Sequence, residues 1–293
     1  MSTRRTGWAA VFLAVPLIAY VATVVGPGLY SFYYSLTDWN AVGGTANFIG
    51  LRHYRDMAGD EHFWQALRNT AVWTGVAVVV PTLVGLGLSL GLAQVRRMQR
   101  LVKSLFFLPL ALSLVVVGQV WFWIFRPEDG LLNLVLGRVG LESLQHSWLS
   151  DPDVAFWSVL LAWCWQQVAL AMVVFLAGLT GVPGELVEAS KVDGAGAWQR
   201  LWHVVLPSLR PAFAVVVSLS MINALKSFDI VYVMTEGGPF RKTETLALLV
   251  YRSAFKTYDF GYASAVSVVL FLITLVTIGL FFAWTNREDH RNA

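Results

Sequence analysis

The sequence holds one cysteine in 293 residues, and only 13% of it is charged. A lone thiol, Cys164, excludes an internal disulfide and a thiolate metal site. Soluble domains carry about 25% charged residues, so the shortage of charge excludes an ordinary water-soluble fold. No G-x-x-x-x-G-K-[ST] phosphate loop is present, which excludes nucleotide binding by that device. His53, His62, His146 and His203 lack the spacing of metal ligands. No repeat with a period of 20 to 50 residues is visible, nor an obvious match between the two halves.

What is abundant is apolar, at 57% of the chain. Between consecutive charges lie six apolar stretches, at 6–37, 69–95, 104–125, 154–184, 211–225 and 260–286. All but the fifth exceed the roughly 20 residues that a helix needs to cross a hydrocarbon core. The fifth continues through Met234 once Lys226 and Asp229 are allowed inside it. Backbone amides in lipid must be paired internally, which makes helices the expected form; a barrel would show short alternating segments. The reading is an all-α integral membrane domain over residues 1–293. Its six transmembrane helices are expected near 8–34, 70–94, 104–125, 156–181, 211–234 and 262–285.

The first stretch is too long for a signal-peptide core and ends without a small-x-small site, so the N-terminus is expected to stay attached. Arg4-Arg5 lacks the rest of a twin-arginine pattern. The net charge of +3 fits basic cytoplasmic loops better than nucleic acid. Arg96, Arg97, Arg100 and Lys103 crowd the loop after the second span without an acid among them, which places that loop in the cytoplasm. Alternation then puts both termini and segment 183–210 on the cytoplasmic side. Summed over all the loops, basic residues divide almost evenly between the sides, so the orientation rests on that loop. The loop at 126–153 carries Glu128, Asp129, Glu142, Asp151 and Asp153 against two arginines, which suits the outside.

Segment 183–210 interrupts the apolar pattern with a compact charged stretch, EASKVDGAGAWQRLWHVVLP, from Glu188 to Pro207. Pro183 at a helix start, with Glu185 and Glu188 in the early turns, favours a helix by proline preference and dipole complementarity. Gly194 is placed where a helix ends in a left-handed residue. A second helix is expected from Ala197 to Val205, with Trp198, Leu201, Trp202 and Val205 on one apolar face and Leu206-Pro207 as its stop. Helix signals alone fit a plain interfacial hairpin equally well.

The letters themselves resemble a known family, the integral membrane permeases of bacterial ABC importers. Their cytoplasmic motif reads E-A-A, three residues, G, nine residues, I-x-L-P. Here Glu188-Ala189-Ser190, Gly194 and Val204-Val205-Leu206-Pro207 stand at that spacing, with Ser190 and Val204 as mild departures. The run KVDGAGAWQRLWHVVLPSLRP is similar to the carbohydrate-importer branch. FDIVYVMTEGGPFRKTETL and YRSAFKTYDFGYASA resemble the stretch before the last span of maltose and glycerol-phosphate type permeases. The resemblance implies that Glu188, Ala189, Ser190, Asp193, Gly194, Ala195, Leu206 and Pro207 form a loop seated in a groove of a cytoplasmic ATPase. Glu188 would meet a basic residue of that partner. Further implied partners are a second homologous permease, making a heterodimer, an extracytoplasmic solute-binding protein, a carbohydrate solute and the lipid bilayer of the cytoplasmic membrane. No cofactor is implied on this chain.

Polar residues at membrane depth mark candidate solute contacts: Gln119 on the third span, Trp163, Gln166 and Gln167 on the fourth, and Asn223, Lys226, Ser227 and Asp229 on the fifth. Indole faces cover sugar C–H groups, and amides and carboxylates bind hydroxyls. The same residues also serve as glue between helices, and Lys226 with Asp229 could pair across three positions. The competing function is a secondary carrier working alone on an ion gradient, but inverted repeats and paired intramembrane acids are not visible. A membrane enzyme acting on lipid-linked sugars would require clustered acids or histidines at one face; the acids at 126–153 lack a basic or metal-ligand partner.

Overall fold

The computed structural model describes residues 12–40, 43, 46–94 and 106–292, with side chains omitted at 94 and 286–292. The basic cluster Arg96 to Lys103 and the Arg4-Arg5 pair lie outside the described residues. The fold is all-α and multi-pass; among the described residues the only β feature is an isolated bridge between Thr37 and Phe48.

Four helices are long and apolar enough to cross a membrane. These are α1 (Phe12–Tyr34), α3 (Glu61–Gln94), α6 (Ala155–Thr180) and the Phe260–Thr285 part of α12 (Phe260–Asn292). Shorter helices complete the order: α2 (Arg52–Gly59), α4 (Leu114–Ile124), α5 (Leu131–Arg138), α7 (Gly184–Val192), α8 (Ala197–Ser208), α9 (Arg210–Leu225), α10 (Asp229–Thr235) and α11 (Leu246–Phe255). Helices α8 and α9 meet at a 64° bend and count as a fifth apolar element when taken together.

Two of the six expected runs are not single helices. The run at 104–125 is helical over 106–111, breaks at Leu112 and Ser113, and resumes as α4. Ser113 caps α4 by accepting from the Val116 N–H at 3.3 Å. Gln166 of α6 covers the carbonyls that the break frees, donating to Pro109 O at 2.9 Å and Leu112 O at 2.7 Å. The run at 211–234 breaks at residues 226–228, between α9 and α10. There the Thr245 hydroxyl donates to the Ser227 carbonyl at 2.9 Å. Backbone freed inside an apolar region must find such partners, so each break coincides with a polar side chain from elsewhere in the chain.

The chain folds as two compact units, Met1–Phe63 with Leu249–Leu272 and Trp64–Leu248 with Ile273–Ala293. In the first, no residue of α1's most apolar window is buried. The turns after α1 are held by His53 Nε2 against the Thr37 carbonyl at 2.9 Å, and Tyr54 donates to Ser35 Oγ at 2.9 Å. Trp39 stacks on Tyr34 with ring centroids 4.1 Å apart. The Asn47 side-chain amide, then its backbone N–H, hold the Asp38 carboxyl below the usual carboxylate range.

The second unit is built around α6, the most buried of the long helices. Trp163 on α6 meets Trp73 of α3 edge to face, centroids 5.8 Å apart, and both are fully buried. Asn69 of α3 donates to the carbonyls of Lys242 and Glu244, each at 2.8 Å. Ala171 and Phe175 of α6 pack with Leu209, Ala212 and Val216 around the start of α9. Gly178 allows that approach: a Cβ there would sit 2.9 Å from both Ala212 Cβ and Leu209 Cδ2.

Candidate functional site

The charged stretch folds as two helices joined by a tight turn. Pro183 is the N-cap of α7 rather than its first helical residue, and Glu185 lies in the first turn, where a carboxylate complements the helix dipole. The helix closes through Asp193 N–H to Ala189 O at 3.0 Å, Gly194 N–H to Lys191 O at 3.1 Å and Ala195 N–H to Ser190 O at 2.9 Å. Gly194 has φ +79°, a left-handed conformation that glycine adopts without a Cβ clash.

Helix α8 begins at Ala197 as expected but does not stop at Pro207. It passes into a π segment, Leu201–Val205, and continues as Leu206–Ser208 before the 64° bend. The π segment carries the chain past the proline. Leu206 N–H bonds five residues back to Leu201 O, and a proline that follows this widened turn has no amide to leave unpaired. The bend comes at Leu209, which is fully buried in the cluster around α9.

Two contacts across the turn escaped the sequence reading. Gln199 Oε1 accepts from the Gly196 N–H at 2.8 Å, and Arg200 donates from a terminal guanidinium nitrogen to Ala195 O at 2.7 Å. The signal for the first was present: a Gln three residues after an N-cap is half of a capping box. Ser190, Asp193, Gly194, Ala195, Gln199, Arg200, His203 and Val204 line a hollow of about 380 Å³ between α7 and α8. Glu188, Ala189, Asp193, Gly194 and Pro207 are exposed, while Ser190, Ala195 and Leu206 are half-buried. Glu188 forms no ion pair with a described residue. The turn thus presents a carboxylate, small residues and a glycine on a surface that the described residues leave open.

The polar residues at membrane depth separate into groups. Asn223 donates to Gln167 Oε1 at 3.1 Å, tying α9 to α6. Gln166 uses both amide N–H donors on the break before α4, and Trp163 is enclosed by α3 and α6. Ser227 is buried at the break between α9 and α10, with Lys226 and Asp229 exposed on either side of it. Those two do not pair with each other. A break frees Lys226 and Asp229 from the regular spacing that brings residues three apart together on one helix face. Gln119 is half-buried on α4.

Residues 83–287 match the family described as binding-protein-dependent transport system inner membrane components. The chain is 33% identical over 281 residues to a probable ABC transporter permease protein of Pyrococcus horikoshii, covering 96% of each. It is 34% identical over 281 residues to the sulfoquinovosyl glycerol transport system permease protein of Agrobacterium fabrum, covering 96% of this chain and 89% of that one. Its fold is similar to that of a chain in the crystal structure of a bacterial ABC transporter involved in the import of the acidic polysaccharide alginate. There the TM-score is 0.85 at 20% identity, over 97% of this chain and 96% of that chain.

Proposed function

Because the chain belongs to the family of binding-protein-dependent transport system inner membrane components, we propose that it is one of two permease subunits of an ATP-driven importer for a carbohydrate or a close derivative. The relatives whose names carry a sugar derivative or a polysaccharide support the solute class. The whole chain then serves as one permease domain of six crossings. Helices α1, α3, α6 and α12 supply four; the broken elements at 106–124 and 210–235 supply the other two. Both termini and the turn at Gly194 face the cytoplasm. A second homologous permease, cytoplasmic ATP-binding subunits and an extracytoplasmic solute-binding protein complete the assembly.

The observation that carries this reading is the exposed turn from Glu188 to Gly194, flanked by two helices and joined directly to α9 through the 64° bend. A push on the turn is transmitted by α8 to α9, and so to the break that carries Lys226, Ser227 and Asp229. Glu188 docks on a basic residue of the ATPase, the small Ala189 and Ser190 allow close approach, and Leu206 and Pro207 shape the lever. Lys226 and Asp229 face the solute path with Gln119, while the Gln167–Asn223 pair and the buried Trp163, Gln166 and Ser227 support it.

The test is to purify the tagged chain with its co-expressed partners in mild detergent, as native protein and as Glu188→Lys. The proposal expects an ATPase subunit to accompany the native chain and to be lost or uncoupled in the variant. A chain that purifies alone and still moves solute in proteoliposomes is a secondary carrier.

A further inference from the structure

A groove of about 410 Å³ opens where the bend after α8 meets the far end of the apolar part of α12. Its walls are apolar, with Phe213 and Val217 from α9 and Phe281 from α12; its rim carries Trp202, Arg210 and Trp284. The rim lies at the edge of the apolar zone by two independent markers. Arg210 is the charge that precedes the uncharged stretch 211–225, and Trp284 stands three residues before Arg287, the charge that ends the stretch 260–286. Trp202 and Trp284 remain 53% and 60% exposed, and Trp198 stands beside Trp202 with ring centroids 5.6 Å apart. Indoles at such a level form the aromatic belt of a membrane protein.

Among the described residues that line the groove, Arg210 is the charged one. It is exposed and forms no ion pair with a described residue. A cation above an apolar slot, with two exposed indoles beside it, matches a phosphate above an acyl chain. Basic pockets between membrane helices select anionic headgroups in this way. We propose that the groove is a binding site for one anionic phospholipid, its chain against Phe213, Val217 and Phe281 and its phosphate on Arg210. The lipid wedges the bend between α8 and α9, so the element that joins the Gly194 turn to the membrane is braced by the bilayer itself. This site does not depend on which solute the chain carries.

The test uses the full chain with whatever subunits accompany it, in nanodiscs of equal parts phosphatidylglycerol and phosphatidylcholine. Native mass spectrometry then counts the lipids kept after release. The native chain is expected to keep phosphatidylglycerol over phosphatidylcholine. Arg210→Gln is expected to cut that preference about fivefold, the order of one interfacial cation, and Arg210→Lys to restore it. Ala214→Trp, which fills the groove, is expected to release both lipids. An unchanged preference in Arg210→Gln overturns the proposal, as does a native chain with no preference. If the variants do not fold, a photoreactive analogue at Phe213 decides: a cross-link to phosphatidylglycerol supports the site, and a cross-link to another protein overturns it.

Discussion

Gln166 reaches from the middle of α6 to the Leu112 carbonyl at 2.7 Å, and its second amide hydrogen goes to Pro109. One side chain thereby stabilises the interruption of a neighbouring membrane element. Gln166→Leu keeps similar bulk but takes the side-chain donor from the Leu112 carbonyl and leaves Pro109 O only the longer bond from the Leu112 N–H at 3.3 Å. Each unsatisfied buried acceptor costs about 1–3 kcal/mol. The variant is expected to melt well below the native chain in detergent while still retaining the ATPase, since the turn proposed to dock it, at Gly194, is untouched. Thermal unfolding followed by tryptophan fluorescence reads the first, and co-purification the second.

Gly178 gives a sharper packing test. An added Cβ would lie 2.9 Å from Ala212 Cβ and from Leu209 Cδ2, below van der Waals contact, so α6 and α9 must separate. Gly178→Ala is expected to destabilise the chain by about 1–3 kcal/mol, the usual cost of overpacking. Gly87 of α3 has no atom within 4 Å of its added Cβ. Gly87→Ala is therefore expected to be neutral or to stabilise by up to about 1 kcal/mol, the helix-propensity difference. Equal melting temperatures for the two variants would contradict the packing argument.

These positions also show what the sequence could reveal. Helices α1, α3, α6 and α12 were legible because an apolar run of membrane length has few alternatives to a helix. The left-handed Gly194 was legible from local chemistry, and the half capping box at Gly196 and Gln199 could have been. The breaks at Ser113 and at Lys226 to Phe228 were not, because the groups that tolerate them, Gln166 and Thr245, are distant or follow in another element. Pro207 read as a stop because nothing local announces a π segment before it. Trp163 read as a lining residue because an indole in a core and an indole facing a cavity are the same letter; only packing against Trp73 separates them.

Gly194 holds φ +79°, so any Cβ at this turn costs about 1–2 kcal/mol of left-handed strain. Gly194→Ala is expected to weaken ATPase association without unfolding the membrane helices, because the strain is confined to an exposed turn. Gly194→Asn should retain more binding, since asparagine visits this region more readily. Pull-down of the ATPase against circular dichroism of the same samples separates the two effects. Loss of helix signal in step with loss of binding would show that the turn is structural.

Lys226 and Asp229 give the last prediction, because their separation changes what a substitution means. Were they a salt bridge, removing either would strand the other, and the double variant would recover part of the loss. They form no ion pair in this structure, and both are exposed at the break between α9 and α10. Lys226→Gln and Asp229→Asn are therefore expected to act independently on stability, with a coupling energy below about 0.5 kcal/mol. On the proposed role of both side chains in the solute path, uptake in proteoliposomes should fall in each. A thermal-unfolding double-mutant cycle run beside uptake distinguishes the cases. Strong coupling with recovered uptake in the double variant would make the two residues a pair and remove them from the solute path.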